Sequence, residues 1–229
     1  MLALLLLPLA ACDKYAGDKS EIHALWDEWD RVNAEKDGAA ALQVYSASTF
    51  EWYGALLKKA MDAPAKEVWS LSPTEMNEVL IIRHRGKRKD LKGLDGRGYV
   101  KHATSQGWYA GHEGTWAIKD IKVVSDWAEA KFVDAEWADA YRQQRVDELL
   151  SRRGRGRGGV DKPPEYTVKF VREGGRWRLD EVSMHQAWDD MIADFAKQER
   201  KSVRDILMLL EEEDSEQDVK MTVWEPMKK

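Results

Sequence analysis

Two histidines in this chain stand four residues ahead of an aspartate. They are His23 with Asp27 and His185 with Asp189, and the surrounding words are near-copies, His-Ala-Leu-Trp-Asp-Glu and His-Gln-Ala-Trp-Asp-Asp. On a helix, residues four apart share a face. A carboxylate so placed can orient an imidazole and raise its pKa, as acid–base chemistry requires. Both pairs also open predicted helices, where acidic residues are favoured by the helix dipole. No third group supports either pair. A structural role is therefore expected for both, with His185 and Asp189 kept as weak catalytic candidates. The segment "QGWYAGHEGTW", residues 106–116, gathers Tyr109, His112 and Glu113 between tryptophans. His112 could act as a base and Tyr109 as a donor. Along an extended strand His112 and Glu113 point to opposite faces, so they cooperate only if their flanking glycines make a turn. The plainer expectation is an aromatic loop packed on the core.

Other chemistries leave less trace. The five histidines are scattered, without a His-x-His, His-Glu-x-x-His or calcium-loop pattern, so no metal is expected. No phosphate-loop or dinucleotide glycine fingerprint is present, and no cofactor is expected. "RRGRGRGG", residues 152–159, resembles the Arg/Gly segments that bind single-stranded nucleic acid. Its Arg152, Arg153, Arg155 and Arg157 would equally attract phosphate head groups or anionic polymers. A solvated loop is the expectation, with weak anion binding as its chemistry. Net charge is −5, but segregated: residues 83–101 are strongly basic and 211–218 almost purely acidic.

The single cysteine, Cys12, closes the apolar run Leu2 to Ala11. One cysteine makes no internal disulfide. The run is too short for a bilayer span, which takes about 20 apolar residues, and fits a signal core. Leu9-Ala10-Ala11-Cys12 resembles the bacterial lipobox. That resemblance implies cleavage before Cys12, acylation of its sulfur, and a membrane as partner. Acyl chains hold by burying methylenes, at about 0.8 kcal/mol each. The domain would then lie outside the cytoplasm, which argues against nucleic acid as a partner.

The elements that must position these groups fall into two runs. Ser20 is read as the cap of a helix carrying Ile22, Leu25, Trp26, Trp29 and Val32. A short helix follows over "GAAALQVYS". Ser46 or Ser48 caps a third, with Phe50, Tyr53, Leu56, Leu57, Ala60 and Met61 at helical spacing. "SPTE", residues 72–75, is a capping box with proline at the first helical position. Residues 86–98 read as loop. From Thr115 the period changes to alternation, in "WAIKDIKVV" and "WAEAKFVDAEWA". "EYTVKFVREGGRWRLDEVSM" reads as a hairpin, with Trp177 and Leu179 on one face. Residues 184–213 read as helix, broken or departing from the domain at "AKQERKS".

Helices followed by an antiparallel meander give an α+β fold, with helices on one face of a curved sheet. The N-terminal amphipathic helix, the meander and the hairpin "VKFVREGGRWRLDEV" resemble the nuclear-transport-factor-two-like superfamily. The resemblance spans about 21–183. It implies a cone-shaped domain, and a superfamily that includes isomerases, dehydratases and epoxide hydrolases beside lipoproteins of unknown role. No residue here matches those enzymes' motifs.

The expected organisation is a signal peptide at 1–11, a tether at 12–20, the cone-like domain at 21–183 with a flexible loop at 151–164, and a C-terminal helix with acidic tail at 184–229. The expected function is a non-catalytic envelope accessory or ligand-binding module, taking a small hydrophobic ligand or an envelope protein. The alternatives are a small-molecule lyase, isomerase or hydrolase, and assembly, including self-assembly, through the C-terminal helix. Changing Cys12 to Ser should leave the chain unprocessed or release it from the membrane fraction. A Ser variant that stays with membranes at the normal mature mass contradicts the lipoprotein expectation.

Overall fold

The computed structural model describes residues 14–110, 116–134 and 165–227. Its order is helices first, then strands, then helices: α1 (Ala16–Ala34), α2 (Gly38–Val44), α3 (Ala47–Asp62), α4 (Ala65–Val68), α5 (Pro73–Arg85), α6 (Arg88–Leu91), α7 (Gly96–Ser105), β1 (Trp116–Val124), β2 (Trp127–Asp134), β3 (Glu165–Glu173), β4 (Arg176–Asp180), α8 (His185–Glu199) and α9 (Val203–Ser215). This is an α+β fold. The four strands form one antiparallel sheet in the order β1-β2-β3-β4.

The sheet is apolar on one face. Ile121, Ala130 and Val168 stand opposite one another across β1, β2 and β3, and Phe170 pairs with Leu179 of β4. These residues are buried, as is Trp177, while Lys122, Lys131, Thr167 and Lys169 on the alternate positions are exposed. Period-two alternation therefore places the core, as the sequence predicts. The β3–β4 turn is Gly174-Gly175, both at positive φ, which a tight hairpin turn demands. α1 packs on the sheet, with Trp26 stacked on Trp29 at 4.7 Å and set against Phe132 at 4.3 Å.

The helical layer follows its capping signals. Ser46 caps α3 by accepting from Thr49 N, and Ser72 and Glu75 form the capping box of α5 with Pro73 in its first turn. α3 crosses α7 very closely. A Cβ on Gly96 would lie 1.7 Å from the Phe50 carbonyl oxygen, so only glycine permits this crossing.

Two expectations need correcting. α1 begins at Ala16, not after Ser20, so residues 16–20 of the expected tether are helical. The cause is tertiary: Asp18 pairs with Arg172 of β3 and accepts from Trp177 Nε1 at 3.3 Å. The expected loop at 86–98 holds one helical turn, α6, and the start of α7, which Asp95 caps through Gly98 N. The acidic tail is tied to the domain. Glu211 and Asp214 pair with Arg85, and the chain then folds back through a 3₁₀ turn, Met221–Trp224, that leaves Trp224 1 % exposed. Ile192, Ile206, Leu207 and Trp224 join the same core as the sheet. The expected break at "AKQERKS" is present: Arg200 turns left-handed and Ser202 caps α9 in a capping box with Asp205.

Trp177 is 4 % exposed on the helix-facing side. Trp177→Ala should cost about 3–5 kcal/mol, the usual range for an emptied core site. Chemical denaturation measures it, and an unchanged midpoint would contradict this placement.

Candidate functional site

Glu78 lies on α5 between the apolar residues Met76, Val79 and Leu80, and is 6 % exposed. A carboxylate there would be costly unless it is hydrogen-bonded or protonated. Two tyrosines meet it. Tyr109, just beyond α7, donates to Glu78 Oε1 at 2.8 Å, and Tyr99 of α7 is bonded to the same oxygen. The two hydroxyl oxygens are themselves 3.0 Å apart. Tyr53 of α3 packs beside them, its ring 5.4 Å from Tyr99 and 6.1 Å from Tyr109. Its own hydroxyl donates at 3.0 Å to a second acid, Glu181, which opens the 3₁₀ turn Glu181–Met184 between β4 and α8. Tyr45 completes the group, accepting from Trp29 Nε1 at 2.8 Å.

Desolvation dominates the electrostatics. It pushes Glu78 up to about 7, against the opposing pull of the Tyr99 and Tyr109 hydroxyls and of Arg85. It pushes Glu181 up to about 8, aided by the negative charges of Glu78 and Asp180 and opposed by Tyr53. Glu181 keeps part of its surface in solvent, whereas Glu78 is buried. Burial raises Tyr45, Tyr53, Tyr99 and Tyr109 well above the ordinary phenol value. Two acids held near neutrality among tyrosines are the kind of group that proton chemistry uses.

Of the residues singled out from sequence, Tyr109 alone enters this cluster. His185 lies beside it, its ring 4.1 Å from Trp52, and burial lowers its pKa to about 4. Asp189 accepts from Thr74 N at 2.7 Å and Thr74 Oγ1 at 2.6 Å. That carboxylate satisfies an open backbone N–H in the first turn of α5. His23 and Asp27 are exposed on α1. Cys12, His112, Glu113, Arg152, Arg153, Arg155 and Arg157 lie outside the described residues. No group of three or more His, Cys, Asp or Glu side chains that could hold a metal occurs among the described residues.

Sequence reading missed Glu78 and Glu181 and took Tyr53 as simple core. A signal existed for both acids. Glu181 continues the inward alternation Trp177, Leu179, and Glu78 stands one helical turn before the core residue Ile82.

Two hollows stand out among the described residues, and neither is lined by Glu78 or Glu181. One is a groove along α1, bordered by Glu21, Glu28, Arg176 and Arg178. The other is an apolar cleft between sheet and α8, lined by Trp26, Trp116, Phe132, Tyr166, Val168, Met184, Trp188 and Met191. Its free interior is small, about 20 Å³. Trp26 Nε1 is buried with no acceptor among the described residues. Trp188, Met191 and Phe195 continue the cleft as an exposed stripe on α8, at 36, 37 and 41 %.

Glu78 binds its proton more tightly folded than unfolded, so its contribution to stability falls as pH rises from about 4.5 to about 7. Glu78→Gln removes that dependence. The stability of the variant relative to wild type should climb with pH across this window, by up to about 3 kcal/mol at 1.36 kcal/mol per unit, then level off. Urea denaturation at several pH values measures it. A difference that does not change with pH would show that Glu78 titrates normally.

The chain matches no protein-family model, no curated protein and no solved structure.

Proposed function

We propose that this chain is an exported bacterial lipoprotein, anchored through Cys12, whose domain is a non-catalytic module binding a small apolar ligand in the cleft between sheet and α8. The observation that carries the reading is the lining of that cleft: eight side chains, none of them charged. A charged ligand would lose its hydration there without compensation. The free interior holds about one water, so a ring or short alkyl chain enters as the α8 side chains give way. The anchor rests on the lipobox resemblance; no helix among the described residues is long and apolar enough to cross a membrane. We read the fold as the cone of the nuclear-transport-factor-two-like superfamily. The meander, its glycine hairpin and the position of α1 on the apolar face support this.

One observation favours the runner-up, a small-molecule lyase, isomerase or hydrolase: the two raised acids beside Tyr109. Its substrate would have to reach Glu78, which is 6 % exposed. Assembly through the C-terminal helix has less support. Ile206 and Leu207 of α9 pack inward, leaving Leu209 and Leu210 exposed as a small patch.

Titration with the dye 1-N-phenylnaphthylamine tests the reading. Wild type should bind and enhance its fluorescence. Met191→Asp, which sets a charge at the rim, should weaken binding at least about tenfold, or 1.4 kcal/mol, with an unchanged circular dichroism spectrum. No binding by wild type, or equal binding by the variant, contradicts the cleft as a ligand site.

A further inference from the structure

The groove between α1 and β4 holds charges of opposite sign that do not meet. It is open and offers about 290 Å³, near the lower end of small-ligand sites. Its α1 wall carries Glu21 and Glu28, its β4 wall Arg176 and Arg178, and Leu25 and Trp177 also line it. Residues two apart on a strand share a face, so both guanidiniums leave β4 on the same side. Among the described residues no acid pairs with either of them. Arg31, Arg85, Arg88 and Arg172, by contrast, each pair with a carboxylate.

The positive wall is left uncompensated. Arg178 donates to the neutral Gln43 Oε1 at 3.3 Å. Burial, then the like charges of Arg176 and Arg97, hold its pKa below the usual guanidinium value. Glu173 opposes this, but its carboxylate is spent on Ala47 N at 3.0 Å. On the negative wall, Arg31 takes both oxygens of Glu28. Glu21 has a looser contact, with Arg172 at 3.9 Å, and that guanidinium is already paired with Asp18.

The fold keeps the walls apart. Asp18 ties the first turn of α1 to Arg172 and Trp177, and Trp29 further along donates to Tyr45. Glu21 lies between these two fixed points. β4 ends the sheet and is held by its ladder to β3. On its outer edge, Leu179 O accepts from Ser46 N at 2.9 Å. Alternate residues of an antiparallel strand bond to the same side. Trp177 therefore turns its backbone N–H and C=O to that outer edge as well.

We propose that this groove binds a short peptide with both termini free, its carboxylate on Arg176 and Arg178, its ammonium toward Glu21 and its main chain along Trp177 at the edge of β4. The proposal is independent of the apolar cleft and of the anchor. Guanidiniums bond carboxylates through paired N–H donors. An extended peptide adds to a sheet edge through its backbone. Leu25 and the Trp177 ring offer apolar surface to a side chain. A ligand with one charge would leave the opposite wall unanswered, and a polyanion would meet the carboxylates of α1.

Titration of the full chain with leucyl-leucine and with trileucine, followed by NMR of the arginine Nε–Hε signals, tests this. Saturable shifts at Arg176 and Arg178 are expected with at least one of the two. N-acetylation, which removes the ammonium, and C-terminal amidation, which removes the carboxylate, should each weaken binding by about tenfold or more. Arg178→Gln should weaken the free peptide by a similar factor. Glu21→Gln should weaken the free peptide and leave the N-acetylated one unchanged, a pattern that general damage to the fold would not give. No saturable shift with either peptide overturns the proposal. So does equal binding of free and blocked peptides, or undiminished binding by Arg178→Gln.

Discussion

An acid enclosed by three helices must be neutral or surrounded by donors, and among the described residues Glu78 has two hydroxyls and no unpaired cation beside it. This constraint fixes much of the helical layer. α7 must bring Tyr99 within bonding distance of α5, and the chain after α7 must curl back to bring Tyr109. α3 must sit close enough for Tyr53 to pack on both rings. The Gly96 crossing makes that approach possible. A buried polar network of this kind is costly when half-made, so it disfavours neighbouring packings that would leave a group unpaired.

The same layer is tied down firmly on one side and lightly on the other. Arg83 is buried and gives its donors to the carbonyls of Ala60, Lys59, Ala63 and Trp224. Arg85 clamps α9 through Glu211, and Arg88 reaches Met227 at 3.1 Å. The basic run at 83–101 thus spends three of its arginines inside the structure, joining α5 and α6 to the C-terminal chain. α8 has no such clamp of its own. It rests on a short apolar contact, the Thr74–Asp189 bonds and the Trp52–His185 contact. The α8 wall of the apolar cleft is therefore held more lightly than α9.

Local signals made most of the elements legible. Ser72-Pro73-Thr74-Glu75 and Gly174-Gly175 carry their geometry in their own side chains or backbone freedom, and the alternation of Trp177 with Leu179 fixes which face is buried. What escaped reading depends on distant residues. Ser20 is a sound helix cap by type, yet Arg172 and Trp177, far along the chain, extend α1 past it through Asp18. "EEEDSEQD" reads as an acidic tail, and nothing in it points to Arg85. His185 and Asp189 share a helix as spacing suggests, but an open N–H on α5 claims the aspartate. The acids at 78 and 181 come from different elements, and nothing in their local words says that Tyr53 joins them.

The protonation state of Glu78 decides whether this physical picture holds. Carboxyl carbon chemical shifts, followed by NMR in protein labelled at glutamate and assigned with Glu78→Gln, report it directly. The Glu78 resonance should titrate with a midpoint near 7. A midpoint near the ordinary glutamate value of about 4.3 would mean that Glu78 carries a charge at neutral pH, and would contradict an acid held neutral between Tyr99 and Tyr109.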